Sequence, residues 1–152
     1  MSETYESKGC VHDVGNRTYR YAENNVLYPF GFGLTYGNIL CTSVEYRDNT
    51  AFVTAENRGD ISCEDVIELY IRDYSEYAVR NVSLCGFERI KLEAGESITV
   101  KIPVSERAFT AVGENGERKR YGDRFTLYAG THQPDEISSR LCGNDCVYTE
   151  IN

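Results

Sequence analysis

Between Glu64 and Asp73 the chain reads EDVIELYIRD, with an apolar residue at every second position. Ile67, Leu69 and Ile71 take one side and Glu68, Tyr70 and Arg72 the other. Successive side chains of a β-strand point to opposite faces, so this spacing suits a half-buried strand and is useless to a helix. The alternation recurs. Ile39–Arg47 (ILCTSVEYR) sets Leu40, Val44 and Tyr46 against Cys41, Ser43 and Glu45, and 50–57 (TAFVTAEN) puts Ala51, Val53 and Ala55 on one face. In 84–92 (LCGFERIKL) Ile90 and Leu92 share a side, and in 97–104 (SITVKIPV) Ile98, Val100 and Ile102 point inward. Pro103 marks that strand's end or a sheet edge. In 123–130 (DRFTLYAG), Phe125, Leu127 and Ala129 alternate with Thr126 and Tyr128.

Turn signals separate these runs: Arg47-Asp48-Asn49, Arg58-Gly59-Asp60, 93–96 (EAGE) and Asn115-Gly116, the last a strong hairpin signal. The stretch 105–112 (SERAFTAV) reads equally as a helical turn or a short strand, and the tail 139–152 (SRLCGNDCVYTEIN) as a last short strand or hairpin. About seven strands spaced roughly ten residues apart, with no long helical pattern, predict an all-β fold, a β-sandwich of the immunoglobulin-like or fibronectin type III-like kind. The sandwich is expected over residues 39–152.

Residues 1–38 stand outside that pattern. They hold Tyr5, Tyr19, Tyr21, Tyr28, Phe30, Phe32 and Tyr36, whereas solvated tails are depleted in aromatics. Pro29, Gly31, Gly33 and Gly37 forbid a stable helix and favour an extended, turning path. The segment is therefore expected to lie against a surface rather than to build a core of its own.

Charge removes several classes of partner. The net charge of −8, from 16 Lys and Arg against 24 Asp and Glu, repels phosphate backbones and anionic lipid, so neither nucleic acid nor a membrane is an expected partner. No stretch approaches the roughly 20 apolar residues of a membrane span, and the first residues, MSETYESKGC, lack the features of a leader. Of the six cysteines, Cys41, Cys63 and Cys85 sit singly in apolar stretches as small buried hydrophobes, and Cys142 and Cys146 flank a tight Gly-Asn turn. C-x3-C with no second pair is a poor zinc signature, and His12 and His132 read as surface residues. Free thiols, no metal and no cofactor are expected, and unpaired cysteines point to the cytoplasm.

Six stretches then carry a resemblance: RTYRY (17–21), LYPFGFGLTY (27–36), VTAENRGD (53–60), DVIELYIRD (65–73), LCGFERIKLEAGESITVKI (84–102) and YGDRFTLYAGT (121–131). In this order they resemble the C-terminal end of glycoside hydrolase family 3, the family of β-glucosidases and β-xylosidases. The strand matches alone would describe any sandwich. The Leu-Tyr-Pro-Phe-Gly run followed by Gly-Leu-Thr-Tyr has no general structural reason to recur, and it carries the assignment.

The resemblance implies that residues 1–38 are the linker from a catalytic body and residues 39–152 a fibronectin type III-like domain. It implies that Tyr19, Tyr21, Leu27, Tyr28, Pro29, Phe30, Phe32 and Tyr36 pack at the interdomain junction, with the catalytic barrel and α/β domains of a parent enzyme as partners. Such parents hydrolyse β-linked sugars with retention, using an Asp nucleophile and a second acid/base residue held in those upstream domains. Retention needs two carboxyl groups about 5 Å apart. None can be chosen here: Glu64 and Asp65 point to opposite sides of one strand, and Glu68 lies on its polar face. No catalytic residue is expected, and the chain reads as a non-catalytic accessory domain that docks on the catalytic domains and stabilises them. It reads too as an excised piece of a longer frame. The alternative is a carbohydrate-binding sandwich taking a β-linked oligosaccharide on exposed tyrosines, a reading weakened by the absence of Trp.

Overall fold

The computed structural model describes residues 27–152; Tyr5, Tyr19 and Tyr21 lie outside the described residues. Nine strands follow in order: β1 (Ile39–Arg47), β2 (Thr50–Asn57), β3 (Cys63–Asp73), β4 (Ser83–Leu92), β5 (Ser97–Pro103), β6 (Ala111–Val112), β7 (Arg118–Lys119), β8 (Phe125–Gly130) and β9 (Val147–Ile151). One sheet runs β1-β2-β5, the other β4-β3-β8-β9, and β6-β7 form a small ribbon. The pairings are antiparallel. The result is the all-β sandwich expected, with seven long strands and a two-residue ribbon.

Local chemistry sets the connections. Asp48 and Asn49 both take positive φ (50° and 55°), and Arg47 pairs with Thr50, which makes a two-residue hairpin whose twist matches its strands. Asn115-Gly116 turns the β6-β7 ribbon, with Gly116 at φ 75°. The ambiguous stretch resolves into both readings, a 3-10 turn over Glu106–Phe109 followed by β6. Between the sheets lie Val44, Ala51, Val53 and Ala55 on one side and Ile67, Leu69, Ile90, Leu92 and Leu127 on the other. Each Val, Leu or Ile among them contributes roughly 1.5–3 kcal/mol on full burial.

Three expectations need correction. A bulge between Cys41 and Ser43 shifts the phase of β1, because one extra residue exchanges the faces beyond it. Ile39 and Cys41 then pack on the core before it and Val44 and Tyr46 after it, while Leu40 is not part of the core cluster. In β5 Ile98, Val100 and Ile102 do face inward, opposite Ala55, Val53 and Ala51, but only Ile102 is buried; Ile98 is exposed, at the start of an edge strand that follows the exposed 93–96 turn. His132 is not a surface residue: its ring is buried, with Nδ1 on the Gln133 carbonyl and Nε2 on the Asn144 carbonyl and side-chain oxygens.

The tail forms the last short strand expected, β9, and adds an element that was not expected. Glu136–Cys142 form a short helix, α1, before β9. Asp135 caps it, Oδ1 accepting from the backbone N–H groups of Ile137 and Ser138 and Oδ2 from the buried Ser138 hydroxyl at 2.6 Å. Gly143, at φ 74°, ends it in the left-handed conformation. Cys142 thus closes a helix and Cys146 precedes a strand, and both carry free thiols.

Candidate functional site

The aromatic segment has two sides, and its glycines define the inner one. Phe32 donates its N–H to the Pro29 carbonyl, closing a turn in which Gly31 takes φ 77° at the third position, where a side chain is strained. The Gly31 backbone lies so close to the Tyr70 hydroxyl and the Glu68 carboxylate on β3 that a Cβ there would collide with both. Further on, a Cβ on Gly37 would collide with the Cys63 sulfur, and the Thr35 hydroxyl donates to the Glu64 carbonyl. Pro29 is buried. The segment is fastened along β3 by its smallest residues.

The outer side is apolar and open. Leu27 is 84% exposed, Tyr28 68%, Leu34 92% and Tyr36 99%. Tyr28 stacks on the half-buried Phe32 at 5.4 Å between centroids, and Phe30 is partly exposed. Clusters of this kind on a soluble surface mark sites of association. Of the candidate junction residues, Pro29 and Phe32 therefore hold the turn, while Leu27, Tyr28, Phe30 and Tyr36 face outward; Tyr19 and Tyr21 lie outside the described residues. Sequence reasoning missed Leu34, and it missed the receiving surface. The signal was the Gly31 and Gly37 spacing, since glycine in a non-helical aromatic run marks a close backbone approach.

At Gly37 that receiving surface is the core-side Cys63, and at Gly31 it is the outer face of β3. Tyr70, expected beside solvent, is fully buried there, on the side away from the core cluster, and its hydroxyl donates to Glu68 Oε2 at 2.7 Å. Burial pushes the Glu68 carboxyl above its usual range, opposed by the Tyr70 bond and the charge of His132. Tyr128 and Tyr148 continue the row across β8 and β9. Their rings are tilted 45° to one another, and those of Tyr77 and Tyr121 by 50°. Neither pair is coplanar.

Among the described residues no acid/base pair assembles. Glu64 is ion-paired with Arg89, and Asp65 points to the opposite face of β3. Cys146 Sγ lies 3.7 Å from His132 Nδ1, yet the thiol donates to the His132 carbonyl and burial pushes it up to about 12. A nucleophilic thiol needs the reverse shift. Among the described residues, no three His, Cys, Asp or Glu side chains are placed to hold a metal ion.

Comparison with known proteins agrees with this geometry. Residues 65–133 match the family model described as "Fibronectin type III-like domain". A putative β-xylosidase of Formosa agariphila is 29% identical over 77% of the chain and 17% of its own length. A xylan 1,4-β-xylosidase of Xylanibacter ruminicola is 31% identical over 91% of the chain and 16% of its own length. The crystal structure of a GH3 β-glucosidase of Bifidobacterium adolescentis superposes with a TM-score of 0.68 at 28% identity, covering 87% of the chain and 20% of that structure. The chain thus spans less than a fifth of the length of the curated relatives it matches first, 17% and 19%.

Proposed function

This chain carries a fibronectin type III-like domain of the kind found in the C-terminal region of family 3 glycoside hydrolases, and on that premise we propose that it is a non-catalytic accessory domain that docks on the catalytic domains of a larger enzyme and stabilises them. The reading rests above all on the two-sided segment. Gly31 and Gly37 bind it to β3, while Leu27, Tyr28, Leu34 and Tyr36 are left facing outward. A ribbon so arranged is shaped to be covered by a second body, and burying those four side chains contributes several kcal/mol at roughly 25 cal/mol per Å2 of apolar surface.

The chemistry belongs to the parent enzyme. The family resemblance supports hydrolysis of a β-linked glycoside with retention, carried out by two carboxyl groups of the upstream domains. This chain's part is to hold those domains in place. The test is the double variant Leu34→Ser, Tyr36→Ser, made in the complete polypeptide and in this chain alone. The complete polypeptide should lose several degrees of melting temperature, and this chain should melt unchanged because both side chains are already in water. Equal melting of variant and wild type in both contexts would discard the reading.

A further inference from the structure

Beside the aromatic segment a crevice of about 190 Å3 opens between the segment, the start of β3 and the end of α1. Leu34, Asp65, Thr131, Leu141 and Asn144 are among the residues that line it. Leu34 and Leu141 are exposed apolar residues on opposite elements, and they give the opening a greasy collar. Its volume lies below the roughly 300–1,000 Å3 of pockets that hold whole small molecules. It is the size of one long side chain.

Asp65 gives the crevice its charge. It sits on β3 opposite Ile90 of β4, in phase with Ile67, Leu69 and Ile71, a position where a strand of this pattern calls for an apolar residue. Its Oδ1 accepts the Val66 N–H at 2.8 Å. Burial pushes its carboxyl above the ordinary range, and the backbone bond is the one opposing influence. Its charge acts on Cys41, Cys142 and Glu68, none of them a cation. Among the described residues no ion pair includes it. A half-buried carboxylate without a counter-ion is costly unless a cation arrives to share the site.

We propose that the crevice receives one arginine or lysine side chain from the surface that covers the aromatic segment, with Asp65 as its counter-ion and Leu34 and Leu141 packed along its aliphatic stem. Such side chains combine an apolar stem with a charged head, which is the pattern of the crevice from rim to interior. Arginine suits it better, because its planar fork serves the Asp65 carboxylate and leaves donors for the oxygens of Thr131 and Asn144. The net charge of −8 on the chain favours a basic complement. A single anchored side chain inside an apolar ring is the arrangement that dominates the energetics of many interfaces.

The inference rests on the docking reading, and its test is independent of it. The chain is titrated with acetyl-Leu-Arg-Leu-amide and with acetyl-Leu-Gln-Leu-amide, while backbone amide signals and the Asp65 carboxyl carbon are followed by NMR. The arginine peptide should shift the signals of Asp65, Thr131 and Asn144 in a saturable way, bind about fivefold or more tightly than the glutamine peptide, and lower the Asp65 titration midpoint. Asp65→Asn, checked for an otherwise unchanged spectrum, should abolish the preference; the titration of the unaltered chain decides the matter if that variant misfolds. Peptides that bind equally, or an arginine peptide that leaves those signals unmoved, would overturn the proposal. Loss of peptide selectivity while Tyr36 is covered in the complete polypeptide removes the anchor and leaves docking intact. Selectivity with Tyr36 uncovered removes docking and leaves the crevice.

Discussion

The backbone of Gly31 rests on the hydroxyl of Tyr70, leaving no room for a side chain between them. One contact thereby explains two oddities: a glycine at positive φ within an aromatic run, and a fully buried tyrosine on the outer face of a strand. Gly31→Ala meets both the strained conformation and the collision, so it should destabilise the chain by about 1–3 kcal/mol. Urea denaturation measures the loss, and hydrogen exchange at residues 27–36 should rise in step. An unchanged midpoint with unchanged exchange would mean that the segment is not seated on Tyr70.

The three glycines of the segment should not behave alike. A Cβ at Gly37 runs into the Cys63 sulfur, whereas one at Gly33 meets nothing within 4 Å. Gly37→Ala should cost about 1–3 kcal/mol through overpacking, and Gly33→Ala should fall within about 0.5 kcal/mol of the unaltered chain. Equal effects in thermal melts would contradict the close approach at Cys63.

Asn57 anchors the turn after β2. It is fully buried, and its Nδ2 donates to the carbonyls of Ile61 and Glu93 at 2.8 and 3.1 Å and of Leu92 at 3.2 Å. Its Oδ1 accepts the Gly59 N–H. Asn57→Ala strands several buried polar groups at once and should cost about 2–4 kcal/mol. Asn57→Asp keeps the acceptor and loses the donor, so it should be destabilised too. A melting curve within a degree of wild type for either variant would refute this account of the turn.

Glu68 gives the segment's seat a pH dependence. Its folded carboxyl titrates above the ordinary glutamate value of 4.5 because burial disfavours its charge, with Tyr70 and His132 acting against the shift and Asp65 with it. A raised carboxyl binds its proton more tightly when folded. Its stabilising contribution is therefore complete below pH 4.5 and fades as pH rises through the folded value. Glu68→Gln removes that slope. The stability of the variant relative to wild type should grow from pH 4 to pH 7 in urea titrations, and parallel curves would count against the burial of Glu68.

Burial also pushes the thiols of Cys41, Cys85 and Cys146 up to about 12. Iodoacetamide at pH 8 should leave these three nearly unlabelled in the native chain and label them fully in urea, as read from peptide masses. Rapid native labelling of Cys146 would instead mark it as an activated partner of His132.

The period-two runs made the long strands and the sandwich legible, because each of them buries one face and exposes the other. Phase was harder. Nothing in ILCTSVEYR announces that the β1 ladder slips at Cys41, so Leu40 reads as core and Ile39 does not. Helix α1 was hidden by brevity: EISSRLC has no room for a periodic stripe, and its signals are the caps, Asp135 before it and Gly143 after it. Tyr70 alternates correctly, yet its burial depends on what covers the outer face, which alternation within β3 cannot encode. The aromatic segment was found by composition, and only its geometry shows that Gly31 and Gly37 face in and that Leu34 belongs with the outward side chains.

The most direct test of the docking account is the reactivity of the Tyr36 ring. Tyrosine nitration, quantified by peptide mass, would be compared between this chain and the complete polypeptide that carries it. The account predicts ready nitration of Tyr36 and Tyr28 in this chain and strong protection of both in the complete polypeptide. Equal nitration in the two would show that nothing covers the segment and would contradict the account.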